Sequence, residues 1–227
     1  MQFGHSGINH LREELHMLDF KDIQVENKGN IEDWNREYES IKQHMKLNKG
    51  ESFIDIGAHI GLWTLYVAKK GNKVYSFEPD INTFKILKNN IKKYSNVKVY
   101  NLAIGAEDKV ESMYVHKNSV LNSLRIVRKD LFLYKVRVQI NKLDNFKFEE
   151  KIGLIKIDTE GYESEILIGA EETILRDKPK LIIEVHHGLR PLGLELKILF
   201  DRVQKYGYDN IRAEYKKVCG QPILIAE

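Results

Sequence analysis

The segment Asp55-Ile-Gly-Ala-His-Ile-Gly61 closes a short apolar run, and Glu78 closes a second one about twenty residues later. An acidic residue and two glycines at a strand-to-helix turn, with a carboxylate at that distance, constrain the chain to a parallel α/β sheet with a nucleoside pocket. The glycines read G-x-x-x-G, not the dinucleotide-binding G-x-G-x-x-G, and no G-x-x-x-x-G-K-[ST] phosphate loop occurs.

The position of Asp55 narrows the nucleoside. A lone anion just before the glycine turn repels a diphosphate and attracts a cation, and Glu78 at a strand end can accept from both hydroxyls of a ribose. S-adenosylmethionine, an adenosine derivative with a sulfonium, an ammonium and no phosphate, satisfies both. The competing explanation is a tight turn serving close helix–strand packing, with Glu78 a solvated carboxylate before Pro79.

Elsewhere the chain keeps a strand–turn–helix rhythm. Strands are expected at 52–56, 73–77, 97–104, 153–158 and 179–185, and helices at 62–70, 81–94, 164–175 and 194–205. Residues 110–115 and 134–140 alternate apolar and polar side chains, as a half-exposed antiparallel pair would. Residues 210–218 and 222–226, about Gly220-Gln221, read as a final antiparallel hairpin on an otherwise parallel sheet. Residues 1–50 form an N-terminal extension, whose helix over 31–45 packs Trp34, Tyr38, Ile41 and Met45 onto the core. Residues 51–227 form the main domain, with an inserted β-hairpin region at about 106–145.

With 42% hydrophobic and 30% charged side chains, 227 residues suit one globular domain with a sizeable core. A net charge of +3 is too small to call for nucleic acid or a membrane surface, although residues 12–39 hold nine Asp/Glu against four Lys/Arg. Cys219, the single cysteine, precludes an internal disulfide and fits a reducing compartment as a small strand residue. No run reaches the ~18–20 apolar residues of a membrane span and no signal peptide opens the chain, so the expected location is cytoplasmic.

Two further constellations can carry chemistry. Ile155-Lys-Ile-Asp-Thr-Glu-Gly-Tyr-Glu163 gathers Lys156, Asp158, Glu160 and Glu163 at a strand end, with Lys156 and Asp158 on one face. These carboxylates can orient an acceptor hydroxyl, pair with an ammonium or hold a divalent cation. Glu160 and Glu163 also suit a helix N-terminus without any catalytic duty. Glu184-Val-His-His-Gly188 ends the fifth strand. Its histidines point to opposite sides, so at most one faces a pocket, where an imidazole of ordinary pKa ~6.5 can take a hydroxyl proton. Neither has the companion ligands of a structural zinc site. Arg125, Arg128, Lys129, Lys135 and Arg137, with Phe132 and Tyr134 interleaved, form either a solvated loop face or a face for an anionic or aromatic acceptor.

Together these segments resemble the FkbM-type S-adenosylmethionine-dependent methyltransferases. The matching stretches are Phe53-Ile-Asp-Ile-Gly-Ala-His-Ile-Gly61, Phe77-Glu-Pro-Asp80 with Phe84-x-x-Leu-Lys-x-Asn-Ile91, and Ile155–Glu163 continuing to Leu167-Ile-Gly-Ala170. Leu143-Asp144 and residues 179–184 resemble later landmarks, and the whole covers about residues 50–187. His59 stands where asparagine is expected.

The resemblance implies a Rossmann-like, seven-stranded, mostly parallel α/β sheet with helices on both faces, and methylation of a hydroxyl on a sugar or small metabolite. It places Asp55, Gly57 and Gly61 at the methionine end and Glu78 at the ribose. Ala58, His59 and Pro79 stand beside them in the cofactor set, and Asn101–Ile104, including Ala103, border the adenine. Asp158 and Glu160 lie between cofactor and acceptor, and Asp158 or His187 serves as general base. The expected partner is a small-molecule or glycan acceptor rather than a nucleic acid, and a divalent metal is a lesser expectation. The alternatives are a methyltransferase of RNA or protein, against which the lack of an Asn-Pro-Pro-Tyr motif counts, and a non-catalytic nucleotide-binding or docking module.

Overall fold

A computed structural model describes residues 41–117, 119–125, 132–186, 190–216 and 221–227. Most of the N-terminal extension, Arg128, Lys129, His187, Cys219 and Gly220 lie outside the described residues. Of the helix expected over 31–45, only the end is described, and there Ile41 and Met45 are buried against the main sheet.

The main sheet has seven strands in the order β3-β2-β1-β7-β8-β10-β9. These are β1 (Ser52–Ile56), β2 (Val74–Phe77), β3 (Val97–Tyr100), β7 (Ile152–Ile157), β8 (Lys180–Glu184), β9 (Ile211–Tyr215) and β10 (Pro222–Ala226). From β1 the chain runs outward through β2 and β3, then returns to place β7 on the other side of β1, with all pairings parallel up to β8. Only β10 runs antiparallel, to β8 and β9. The strand order thus reverses between β1 and β7, where such sheets open a crevice at their carboxyl ends.

Alternating strand residues face two helical layers, because successive side chains point to opposite faces. Phe53, Val74, Leu154 and Ile182 pack against α1 (Leu62–Ala68) together with Ile41 and Met45. Ile54, Ile155, Leu181 and Ile183 pack against α3 (Glu163–Gly169), α4 (Glu171–Asp177) and α5 (Leu192–Lys205). Helix α2 (Ile81–Asn90) buries Leu87 against Ala58, Ile60 and Leu65.

Three elements depart from the sequence expectation. The strand expected over 97–104 is split. Tyr100 stacks on Phe77 at 5.0 Å, and the chain leaves the sheet at Asn101. Asn101 Nδ2 donates to the carbonyls of Glu78 and Pro79, and β4 (Ala103–Ile104) then joins a separate sheet of order β4-β6-β5. The helix expected over 164–175 is two helices meeting at Ala170. Asp144 accepts from the amides of Glu172 and Thr173, so the first turn of α4 finds its partner in a side chain, not in the preceding turn. The helix expected over 81–94 stops at Asn90, whose side chain donates to the Ile60 carbonyl.

The small sheet is the insertion. Its β5 (Lys109–His116) and β6 (Phe132–Asn141) pair antiparallel, as their alternation predicts. After β5, a one-turn 3-10 helix (Ser119–Leu121) returns the chain so that Ser123 bridges to Tyr114. The insertion is fixed to the main body at backbone contact. A Cβ on Gly169 of α3 would lie 1.9 Å from the Gly105 carbonyl oxygen. Among the described residues, no helix is long and apolar enough to cross a membrane.

Candidate active site

A cavity of about 310 Å³ runs along the carboxyl ends of β2, β1, β7 and β8. The turn after β1 forms one wall. Gly57 has φ +76, and a Cβ there would lie 1.8 Å from the Asp158 carbonyl oxygen. The Gly57 and Ala58 amides both donate to the Phe77 carbonyl, and the His59 amide donates to Glu78 Oε2 at 2.9 Å. His59 has φ +49, a left-handed conformation that histidine and asparagine adopt more readily than most residues. That accounts for histidine standing where asparagine is expected. Its Nε2 lies 2.9 Å from Ser119 Oγ of the insertion, and burial lowers its pKa to about 4, so the ring is neutral.

Glu78 is buried, with its second oxygen accepting from the Asp80 amide at 2.8 Å. Burial pushes its carboxyl up to about 8. Each carboxylate oxygen keeps a further acceptor position for a ligand hydroxyl.

A charged network fills the opposite end. Asp55, Lys156 and Glu184 stand on one sheet face at the ends of β1, β7 and β8, with Lys156 opposite Asp55 in register. Lys156 Nζ lies 2.9 Å from Asp158 Oδ2 and 3.1 Å from Glu184 Oε1. Lys216, just after β9, donates to the other Glu184 oxygen. Burial opposes the charge of Lys156, but Asp158, Glu184 and Asp55 outweigh it and hold the ammonium protonated. Burial likewise opposes ionisation of Asp158, and Lys156 with His186 outweighs it, so the carboxyl sits well below the usual range.

His186 completes the network. Its Nδ1 is 2.9 Å from Glu163 Oε1, and its Nε2 is 3.2 Å from Glu160 Oε1 and 3.6 Å from Asp158 Oδ1. Glu160 is aimed there by a left-handed backbone (φ +55) followed by Gly161 (φ +103), and Ser123 Oγ of the insertion donates to its carbonyl. Burial works against a charged imidazole, yet Glu160 and Glu163 hold its pKa well above the ordinary value. A raised folded-state pKa stabilises the fold fully below the ordinary ~6.5, and that stabilisation is lost as pH rises through the folded value. Thermal melts are therefore expected to show a midpoint that falls across that window in the native protein. The fall should be absent in His186→Gln, and equal pH profiles for the two proteins would refute the assignment.

A family model described as the methyltransferase FkbM domain matches residues 55–209. The chain belongs to this family. That is the family its sequence segments resemble. No curated protein matches it. Among solved structures, it is similar to the methyltransferase FkbM from Methylobacillus flagellatus KT. The identity is 22% and the TM-score 0.60, over 81% of this chain and 45% of that one. A fibrillarin/Nop5p complex matches at 14% identity and TM-score 0.55, over 85% of this chain and 81% of that one. At these identities the likeness is one of fold. The chain spans less than half the length of the FkbM structure it matches.

In this FkbM-family methyltransferase, Gly57, Ala58, His59, Glu78, Pro79, Ala103, Asp158 and Glu160 line the cavity. Three other expected residues stand behind it. Asp55 is buried under the turn, where its Oδ2 accepts from Thr64 at 2.7 Å and its Oδ1 has no hydrogen-bond partner. Burial raises its pKa, with Lys156 opposing. Gly61 meets α2 through Leu87, and Asn101 braces the Glu78-Pro79 backbone. His187 lies outside the described residues, and His186 is the member of that pair seen in the cavity wall. Lys216 was not anticipated, nor was the joining of Glu184 to Lys156. The shared strand face of Glu184 and His186 is the signal that selects that histidine. Of the basic run, Arg125 pairs with Glu165 and Lys135 lies over the Tyr114 ring at 4.7 Å.

Proposed function

We propose that this methyltransferase moves a methyl group from S-adenosylmethionine to a hydroxyl oxygen of a sugar or small polyhydroxylated metabolite. The observation that carries the reading is Asp158: an ionised carboxylate, 26% exposed, set into the wall of the cavity between the glycine turn and His186.

The residues present fit the cofactor. Gly57 lets the turn lie against the Asp158 main chain, where a Cβ would not fit, so the turn can line the cavity; the unpartnered Asp55 Oδ1 lies beneath it, and Glu78 offers acceptors for a ribose. Gly57, Ala58 and His59 would take the methionine end, Glu78 with Pro79 the ribose, and Leu102 to Ile104 the adenine. When bound, S-adenosylmethionine supplies a methyl group on an activated sulfonium, so the chain contributes chiefly alignment and exclusion of water. An acceptor hydroxyl donating to Asp158 would be held at the cavity wall between the glycine turn and His186. As its oxygen gained the methyl its proton would become strongly acidic, so that even a weakly basic carboxylate such as Asp158 would take it within the rate-determining step. His186, charged and held by Glu160 and Glu163, keeps its neighbours fixed and is not itself the base.

The acceptor is read as uncharged because every cation lining the described cavity is already matched: Lys156 and Lys216 with carboxylates, His186 with two. A phosphate chain would find no unmatched cation there. Incubation with methyl-labelled cofactor and a panel of mono- and oligosaccharides is expected to put label into the small-molecule fraction. Label confined to RNA or protein would overturn the acceptor class.

Glu78 gives a second test. A ligand that needs its ionised form must displace a proton below pH ~8, so cofactor affinity is expected to rise with pH by up to about tenfold per unit between pH ~6 and ~8. Calorimetry with Glu78→Gln should show weaker binding, by roughly 1.5–3 kcal/mol, and no such slope. Identical slopes in both proteins would remove Glu78 from the ribose.

A further inference from the structure

Asp158, Glu184 and His186 each bring one ligand atom to within 4.8 Å of the others, separations that a single divalent ion can bridge. Those oxygens already serve a cation. Lys156, 1% exposed, places Nζ 2.9 Å from Asp158 Oδ2 and 3.1 Å from Glu184 Oε1, and Lys216 donates to the remaining Glu184 oxygen. We infer that Lys156 is the resident cation of this cluster, its ammonium standing where a divalent metal would otherwise be bound.

The charge balance supports this assignment. Asp158 and Glu184 are engaged by Lys156 and Lys216, and His186, the third member of the cluster, by Glu160 and Glu163. A divalent ion would have to displace one of these cations from the same buried oxygens. The ammonium also does geometric work. It engages Asp158 Oδ2 and so leaves Oδ1 turned toward His186, the side from which a ligand would approach. Lys156 is in this sense a positioning residue, and a single side chain decides whether the cluster holds an ammonium or a metal. The inference needs only the cluster and stands whatever the acceptor proves to be.

Its test reads metal binding, not methyl transfer. Mn²⁺ titrated into the native protein, followed by electron paramagnetic resonance of the free ion, is expected to show no stoichiometric binding. Lys156→Ser vacates the centre of three ligands and is expected to bind Mn²⁺ at least about tenfold more tightly than the native protein. Should Lys156→Ser fold only when Mn²⁺ is supplied, the inference is equally supported. Lys156→Ser/Glu184→Gln removes a buried cation together with a buried anion that is also a ligand, so it should fold without metal and lose the gain. Stoichiometric, chelator-reversible Mn²⁺ binding by the native protein would overturn the inference without any variant. So would a cooperatively melting Lys156→Ser with unchanged Mn²⁺ affinity.

Discussion

Gly57→Ala is expected to abolish measurable cofactor binding and to lower the melting temperature sharply. A Cβ at this position would lie 1.8 Å from the Asp158 carbonyl oxygen and 2.9 Å from its carbon, both backbone atoms with no rotamer to move aside. The only relief is to push the end of β7 away from β1, which breaks the Asp158 amide bond to the Ile56 carbonyl at 3.1 Å and displaces the Asp158 side chain. To this is added the cost of alanine at φ +76, of order 1–3 kcal/mol by itself. Gly71→Ala separates the two contributions. Its φ is +88, but nothing lies within 4 Å of the new methyl, so it should lose about that strain alone and keep full cofactor affinity. Calorimetry with S-adenosylhomocysteine and thermal melts of both variants provide the check. Native-like binding by Gly57→Ala would mean that the cofactor does not sit over this turn.

Asp158→Asn is expected to slow turnover by roughly 10²–10⁴-fold while changing the cofactor Kd only a few-fold. The amide keeps the shape and can still accept from Lys156, but it cannot take the acceptor proton. The split between kcat and Kd is the informative measurement. Loss of cofactor affinity in parallel with kcat would assign Asp158 to binding, and unchanged kcat would remove it from the chemistry.

Much of this arrangement is written locally in the chain. A strand ending Asp55-Ile-Gly, a carboxylate at Glu78 and acids after Ile157 can each be recognised from neighbours within a few positions, because strand ends and tight turns are local events. The break at Asn101 was not legible, since Val97–Tyr100 and Ala103–Ile104 read as one run and only their partners, β2 and β6, separate them. The division of α3 from α4 depends on Asp144, a carboxylate 28 residues distant from the amide it satisfies. The charged network was legible in part. Period-two alternation places Lys156 with Asp158 and Glu184 with His186, but it cannot say that β7 and β8 are neighbours, or that Lys216 reaches Glu184 across 32 residues. Asp55 shows the converse. Its place beside the glycines suggests direct contact with ligand, whereas strand geometry turns it beneath the turn toward Thr64.

The closeness of Gly169 to the Gly105 carbonyl has a consequence for how such enzymes diversify. With those two main chains abutting, the small sheet keeps one pose and presents Leu124 to the cavity beside the buried Met113 and the backbone-bonded Asn122. A change at Leu124 would reshape the cavity there without moving the main chain that carries it. A bulkier residue at either glycine would forfeit that freedom by tilting the whole platform.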